Sequence, residues 1–403
     1  MDFMIMLVFG LILIIALLIP WHEGLMQKGR YLLIAVIAIG LAFSLRALLL
    51  NYVSGDYRAF LSRWVEYFRI HGGFGGLSGN IGNYNVPYLY FLAFFSTVPF
   101  NDMYLIKLLS IAFDVILALG MMKLAGVFTD SVPKRLAAYL ITLLLPTVII
   151  NGAMWGQCDS IYASLAVLSL WLALSDRPKL SMVFIALSYG FKLQAVFIMP
   201  FFIVLLLAKR IRLWHFLIFP LTYVLLILPA VFCGKPFIET LTLYLNQAHS
   251  VGTQLNYNSP SLFAIVKGSA QTLSPLGVSF AFLFVLIVFL WALIRRDSLK
   301  NEALLGIAIL FVVGIPFLLP HMHDRYFFMS DVLTLLPAIL WASYIPVAAF
   351  ATFASLLSYY AYLKGRFLMP LRYGAFAIIA VLIVFLTFTS EKLNSRRNKT
   401  YKI

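Results

Sequence analysis

The chain has 403 residues, of which 63% are apolar and only 11% carry a charge. A soluble protein needs about 25% charged residues to cover its surface, so this composition excludes a soluble enzyme and a disordered scaffold. The net charge of +15 would suggest a nucleic-acid partner in a soluble protein. In a membrane protein the positions of the basic residues matter more than their sum, and we expect no nucleic acid to bind. The two cysteines, Cys158 and Cys233, allow one bridge or two buried thiols.

Apolar stretches of about 20 residues, the length that crosses a bilayer as a helix, recur along the whole chain. The segment 180–208 is too long for one span and contains Gly190 and Pro200, which predicts two short helices. We therefore predict an all-α polytopic membrane protein, a single integral membrane domain over residues 1–403, with about 13 transmembrane or membrane-embedded helices (range about 11–13). The other predicted helices are 3–20, 31–50, 103–125, 135–150, 158–175, 213–232, 277–295, 302–319, 327–342, 346–363 and 371–389.

Basic residues cluster in the loops between these spans, which places those loops in the cytoplasm. A consistent zigzag results if 180–208 is a hairpin that returns to its own side. Residues 51–102 and 233–276 then form two large external loops, and Lys364, Arg366 and Arg372 also fall outside, against the general pattern. The clustered residues are Lys28, Arg30, Lys134, Arg135, Arg177, Lys179, Lys209, Arg210, Arg212, Arg295, Arg296, Lys300, and in the tail Lys392, Arg396, Arg397, Lys399 and Lys402.

The first external loop contains two stretches that predict interfacial helices. In SGDYRAFLSRWVEYFRI, the apolar residues from Phe60 to Phe68 fall on one helical face and the charged residues from Arg58 to Arg69 on the other. A glycine-rich connector, HGGFGGLSGNIGN, follows. The aromatic stretch NYNVPYLYFLAFFSTVPF predicts a second interfacial helix, with a true span as the alternative.

Ionisable side chains at membrane boundaries are costly and therefore informative. On the predicted external side three clusters stand close to the boundary: Asp56; Gln157 with Asp159; and the run His321, His323, Asp324 and Arg325. Lys192 lies at the predicted hairpin tip. Their convergence on one side predicts a functional site there.

Each cluster also has a structural interpretation. Asp56 follows Gly55 and could be a simple helix N-cap, and Asp159 could favour the N-terminus of its own helix. The HMHDRY run could be an interfacial anchor, and Lys192 could extend its amine to the membrane surface. Lys107 and Asp114, inside the third span, are expected to pair across one helix or with neighbouring helices.

A divalent-metal site formed by Asp56, Asp159, His321 and His323 is a further alternative. Residues two positions apart diverge by about 200° on a helix, so the two histidines would share a metal only from an extended turn.

Four stretches, which follow one another along the chain in the family's order, resemble the GT-C superfamily of multi-span glycosyltransferases, which use polyprenyl-phosphate sugars. SGDYRAFLSRWVEYFRIHGG with NYNVPYLYFL is similar to that family's Asp-Tyr…Trp and Asn-Tyr-Pro-Pro-Leu-x-x-Tyr stretches, with Val86 at the first proline. WGQCDS resembles Gly-Gln-x-Asp, and HMHDRY resembles His-x-His-Glu-Lys. NYNSPSLFAI is similar to Asn…Ser-x-x-Leu-Trp, with Phe263 at the tryptophan.

Sugar transfer from a lipid phosphate needs a base at the acceptor hydroxyl and cations at the departing phosphate. We expect Asp56 to be the base and Arg325, His321 and Lys192 to be the cations. We assign His323 and Asp324 to the donor site as well. Gln157 and Asp159 would hold sugar or acceptor hydroxyls, or orient the histidines.

The resemblance implies an inverting hexosyltransferase without a metal or other cofactor. Its partners would be a polyprenyl-phosphate sugar donor, a glycan or lipid-linked acceptor such as a cell-surface polysaccharide, and the surrounding membrane lipids. It would work on the external face of the cell membrane if the source is bacterial. A lipid-linked glycan transporter or flippase, or a polysaccharide polymerase or ligase, is the alternative function.

Overall fold

The structure is a computed structural model that describes residues 3–82, 84–249 and 252–394. Asn83 of the second aromatic stretch and the tail residues Arg396, Arg397, Lys399 and Lys402 lie outside the described residues. The described chain consists of helices joined by short loops, with two strands of two residues each. The prediction of an all-α polytopic membrane protein is confirmed.

The described residues of the first half of the chain form eight α-helices. The π-helical turns Tyr57–Leu61 and Ile150–Trp155 adjoin two of them, and Gly73–Ser78 is a 3-10 turn. The helices are α1 (Phe3–His22), α2 (Gly29–Leu49), α3 (Ser62–Ile70), α4 (Val86–Thr97), α5 (Asp102–Ala125), α6 (Val132–Leu144), α7 (Pro146–Ile149) and α8 (Asp159–Leu174).

The second half contains ten α-helices and both strands among its described residues. The helices are α9 (Pro178–Phe191), α10 (Pro200–Leu207), α11 (Ile218–Phe232), α12 (Phe237–Leu241), α13 (Leu243–His249), α14 (Ala270–Ile294), α15 (Asn301–Leu318), α16 (Phe328–Leu340), α17 (Ile345–Lys364) and α18 (Arg372–Asn394). The strands are β1 (Asn256–Tyr257) and β2 (Met322–His323), which pair in parallel. The 3-10 turns are Leu193–Phe197, Leu213–Leu217, Leu262–Ala264, Arg296–Ser298 and Ala342–Tyr344.

Every predicted apolar segment coincides with a helix, but the helices differ in length. Among the described residues, 8 helices are long and apolar enough to cross a membrane, or 9 if α6 and the helix after it form one span bent by 44°. The bend lies at Pro146, which lacks an amide hydrogen and cannot continue α6. Five further apolar helices are shorter, so the number of about 13 stays a prediction.

The segment 180–208 forms two short helices, as predicted. The break falls at Lys192, whose extended backbone (φ −154°, ψ 133°) ends α9. A 3-10 turn follows, and α10 begins at Pro200, where a proline is favourable because its missing amide has no partner in the first helical turn. Lys192 therefore lies at the tip of the pair.

The basic loops meet at the opposite end of the helices from this tip. Arg210 contacts Asp176 at 3.1 Å and Asn301 at 2.7 Å, which brings three of these loops together. Lys123, at the far end of α5, contacts Glu23 of the first loop at 2.6 Å. Several of the basic loops thus lie together at one end of the helices, and the side of the membrane that they face stays a prediction.

The first predicted interfacial helix has the expected amphipathic face, but protein covers that face. Leu61, Trp64, Val65 and Phe68 are buried and pack with α4 in one apolar cluster, while Phe60 is 51% exposed. The second stretch forms α4, which has only 12 residues and is too short for the alternative of a true span. The second large loop ends at residue 269, because α14 begins at Ala270 rather than near 277.

Labelling of single cysteines should place the two helix ends on opposite sides of the membrane. In a Cys233→Ser background, Ser78→Cys, Lys267→Cys and Arg366→Cys should react with an impermeant maleimide from outside intact cells, because these residues are exposed at the end that carries residues 51–102. Lys179→Cys and Lys300→Cys should react only after the cells are opened. Reaction of Ser78→Cys from the cytoplasmic side alone would contradict the orientation.

Candidate active site

A cavity of about 350 Å³ opens at the end of the helices that carries residues 51–102. This volume is in the range of small-molecule binding sites, about 300–1,000 Å³. Residues from several distant segments meet there. The lining residues are Asp56, Phe60, Leu61, Trp64, Tyr84, Gln157, Lys192, Leu193, Gln194, Tyr244, Gln247, His323, Arg325, Tyr326 and Tyr362.

Asp56 presents its carboxylate to the cavity and is held by three donors. One oxygen accepts hydrogen bonds from Trp155 Nε1 at 2.9 Å and Gln157 Nε2 at 2.5 Å. The other accepts a hydrogen bond from the Tyr362 hydroxyl. The N-cap interpretation of Asp56 is wrong, because its side chain makes no cap bond and the Ser54 hydroxyl instead accepts from the Tyr57 amide at 3.2 Å.

Gln157 and Asp159 follow a turn that depends on Gly156. Gly156 has φ +77°, a left-handed conformation that a residue without a Cβ adopts at little cost. The turn ends the π-helical segment at Trp155 and lets α8 begin at Asp159. The Asp159 carboxylate accepts hydrogen bonds from Lys192 Nζ at 2.5 Å and Asn151 Nδ2 at 2.7 Å.

Arg325 lies between carboxylates from three segments. Its guanidinium nitrogens are 3.8 Å from Asp56, 3.7 Å from Asp159 and 3.5 Å from Asp324. It also lies over the Trp155 ring, 5.5 Å from the centroid. Its buried Nε has no hydrogen-bond partner in the described part of the chain. The guanidinium is therefore neutralised by charge but loosely bonded, and it retains a free donor.

His323 and Asp324 sit in the loop between α15 and α16, where burial controls their charge. Burial lowers the pKa of the His323 imidazole to about 4, and the nearby Arg325 and Lys192 act in the same direction. The neutral ring stacks on Tyr257 with centroids 4.7 Å apart. Burial raises the pKa of the Asp324 carboxyl to about 7, although Arg325 opposes the shift.

His321 does not join the other predicted site residues. Its backbone is left-handed (φ 61°), and its ring contacts the Gln254 carbonyl at 2.7 Å and the Ser274 hydroxyl at 2.9 Å. The ring thus connects the second large loop to α14, and it does not line the cavity. This position does not support the predicted role of His321 as a phosphate ligand.

The alternative metal site required the side chains of His321 and His323 to meet those of Asp56 and Asp159, and the structure does not bring the four together. Across residues 3–82, 84–249 and 252–394, no group of three or more His, Cys, Asp and Glu side chains is arranged to hold a metal ion. Cys158 and Cys233 are both free, so the alternative of a bridge is wrong.

Several residues of the site were not predicted from the sequence. Trp155 is the first residue of the WGQCDS stretch, so the sequence contained a signal for it. Tyr362 lies in the run YYAYLK with Tyr359 and Tyr360, and nothing in the sequence distinguishes the one that reaches Asp56. Tyr244 comes from the second large loop, whose path no pattern predicts.

The fold and this charged cavity define an all-α integral membrane protein whose polar site lies at one end of its helices. The model of glycosyltransferase family 87 matches residues 83–320, which is more than half of the chain. The chain belongs to glycosyltransferase family 87, a family of GT-C type membrane glycosyltransferases. No curated protein matches the chain.

Family membership confirms the predicted GT-C resemblance and favours a glycosyltransferase over the transporter alternative. The matched range includes Gln157, Asp159 and Lys192 but begins after Asp56 and ends before Arg325. The roles of those last two residues therefore rest on the geometry of the cavity.

The stability of the protein should depend on pH through Asp324. A carboxyl whose pKa is raised to about 7 keeps its proton in the folded state after the unfolded chain has released it, so the free energy of unfolding falls as pH rises from about 4 to 7. Asparagine cannot titrate at this position, so the melting temperature of wild type should fall relative to that of Asp324→Asn as the pH rises from about 4 to 7. Thermal unfolding in detergent measures the difference. Asp297→Asn, at an exposed position, is the control and should show no such trend.

Proposed function

We propose that this glycosyltransferase transfers a hexose from a polyprenyl-phosphate donor to a glycan or lipid-linked acceptor, with inversion at the anomeric carbon, on the external face of the membrane. The observation that carries the proposal is the pairing of Asp56 with Arg325 in one cavity. A carboxylate and a guanidinium 3.8 Å apart can serve the two partners of the reaction, the acceptor hydroxyl and the donor phosphate.

Asp56 has the features of a general base. Its carboxylate faces the cavity, and the donors from Trp155, Gln157 and Tyr362 hold it in one orientation. A base held in this way can accept the proton of the acceptor hydroxyl as its oxygen attacks the anomeric carbon. The bond from that carbon to the phosphate oxygen breaks in the same displacement, so one carboxylate suffices and the configuration inverts.

Arg325 and Lys192 supply positive charge at the cavity. Within the described residues the Arg325 Nε makes no hydrogen bond, although the Asp159 carboxylate is 3.7 Å away, and a guanidinium recognises phosphate oxygens with paired donors. Lys192 also lines the cavity, although Asp159 binds its ammonium. We assign Arg325 to the phosphate, and Lys192 with Asp159 to a fixed pair beside it.

The apolar part of the lining suits a lipid-linked donor. Phe60, Leu61 and Trp64, at the start of the interfacial helix, line one wall, and Phe60 is 51% exposed. A lipid chain can remain in the bilayer beside these side chains while its phosphate reaches the cavity.

Asp56→Asn tests the base directly. The amide cannot accept the proton, so turnover should fall by roughly 10²–10⁴-fold, the usual value of a positioned base. Transfer from short-chain polyprenyl-phosphate glucose and mannose to acceptors in a membrane extract measures this with detergent-purified enzyme. Binding of the donor and the melting temperature should change far less.

Asp102→Asn is a matched control, because Asp102, the first residue of α5, accepts a hydrogen bond from the Tyr57 hydroxyl at 3.2 Å but does not line the cavity. It should keep turnover close to wild type. Turnover of Asp56→Asn within about threefold of wild type would show that Asp56 is not the base.

Arg325 should affect use of the donor. Arg325→Ala removes the charge and its ion pair with Asp56, whereas Arg325→Lys keeps the charge but loses the paired donors. We expect kcat/KM for the donor to fall strongly in Arg325→Ala and less in Arg325→Lys. Equal kcat/KM for Arg325→Ala and wild type at subsaturating donor would exclude Arg325 from phosphate binding.

A further inference from the structure

Helix α5 carries a buried polar face next to the cavity. Lys107, Ser110 and Asp114 lie three and four residues apart, so they share one side of the helix, and each is at most 1% exposed. Lys107 and Asp114 do not pair with each other. Instead, Lys107 binds one segment of the chain, at the end of α2, whereas Ser110 and Asp114 bind a second one, at the start of α8.

Lys107 binds the end of α2, just before Asp56. Its ammonium donates to the carbonyl oxygens of Leu49 at 3.3 Å, Leu50 at 2.8 Å and Tyr52 at 2.6 Å. The last carbonyls of a helix have no partner within the helix, and a lysine can satisfy them. A buried ammonium is costly unless its donors are used, and here three carbonyls use them.

Ser110 and Asp114 bind the second segment. The Ser110 hydroxyl donates to the Gln157 carbonyl at 2.6 Å. The Asp114 carboxylate accepts from the Ser160 hydroxyl and forms an ion pair with Arg46 at 2.9 Å. The chain on either side of Asp159 is thereby attached to the same helix face that holds the end of α2.

The two segments also contact each other. The Ser54 hydroxyl donates to the Trp155 carbonyl at 2.7 Å. The Lys107 side chain contacts both segments, because its ammonium binds the end of α2 and a Cβ at Gly156 would be 3.8 Å from its Cγ. This arrangement sets the distance from the Asp56 backbone to the backbone that carries Trp155 and Gln157.

We propose that Lys107 and Ser110 are positioning residues, which orient the Asp56 carboxylate by holding the two backbone segments that carry it and its donors. The inference rests on the proposed role of Asp56. Lys107 and Ser110 do not line the cavity, so they act through the backbone rather than on the substrate.

Lys107→Met tests the inference, because it keeps the apolar stem and removes the ammonium. A base displaced by about 1 Å can lose about 10²-fold in rate, so kcat should fall by that order while KM for the donor stays near wild type. Hydrogen exchange should become faster in peptides covering 49–57 and 150–158. The activity probe is the same short-chain polyprenyl-phosphate hexose, assayed with detergent-purified full-length enzyme.

Lys123→Met is the matched control. Lys123 lies on the same helix and also uses its ammonium in a contact, at 2.6 Å to Glu23, but at the opposite end. It should leave kcat and the exchange of both peptides unchanged. If Lys107→Met does not fold, Ser110→Ala deletes only one hydroxyl and should act in the same direction, with Ser164→Ala as its buried control.

A double variant separates positioning from general loss of structure. Residues that act through one group are not additive, so Asp56→Asn with Lys107→Met should turn over as slowly as Asp56→Asn alone. Multiplied effects would overturn the inference. Wild-type kcat and exchange in both Lys107→Met and Ser110→Ala would overturn it as well and leave the proposed function standing, whereas wild-type turnover of Asp56→Asn would overturn both.

Discussion

The site depends on the positive charge of the Arg325 guanidinium, which balances carboxylates from three segments of the chain. The guanidinium lies within 3.8 Å of Asp56, Asp159 and Asp324, and the first two come from segments far from it in sequence. Charges at the end of a helix bundle in a membrane are tolerated only where they are paired or hydrated. This cation therefore allows the carboxylates to lie side by side in a largely buried cavity, and the cavity requires all of these segments to be in place.

The fold was largely predictable because lipid leaves the backbone few options. Apolar runs must be helical where water cannot bond the backbone, so hydropathy alone located every apolar segment. Hydropathy did not predict the 44° bend at Pro146. It also does not show whether lipid or protein covers an apolar helix face. One apolar face has the pattern of an interfacial helix but packs on α4; it consists of Leu61, Trp64, Val65 and Phe68. The pattern is ambiguous because a membrane surface and a protein surface favour the same apolar residues.

Site residues could be predicted from the sequence where a polar or charged side chain at the membrane boundary had no evident structural role. Asp56, Gln157, Lys192 and Arg325 meet in the cavity as expected from that cost. His321 was a wrong choice for a backbone reason, since its left-handed conformation turns the ring toward Ser274. The tyrosines and Trp155 were missed because they carry no charge penalty that would draw attention to them.

The charge balance of the cavity explains how a loosely held arginine could be useful. Below the raised pKa of Asp324, about 7, this carboxyl is mostly protonated, and two carboxylates then face Lys192 and Arg325, so the charges of the site nearly cancel before any donor binds. Lys192 is engaged with Asp159 at 2.5 Å, whereas every contact of Arg325 with a carboxylate is 3.5 Å or longer. A phosphate that leaves a sugar gains negative charge as the bond breaks. Under the proposed function, the guanidinium therefore interacts more strongly with the transition state than with the bound donor, and such a difference accelerates the reaction rather than only binding the substrate.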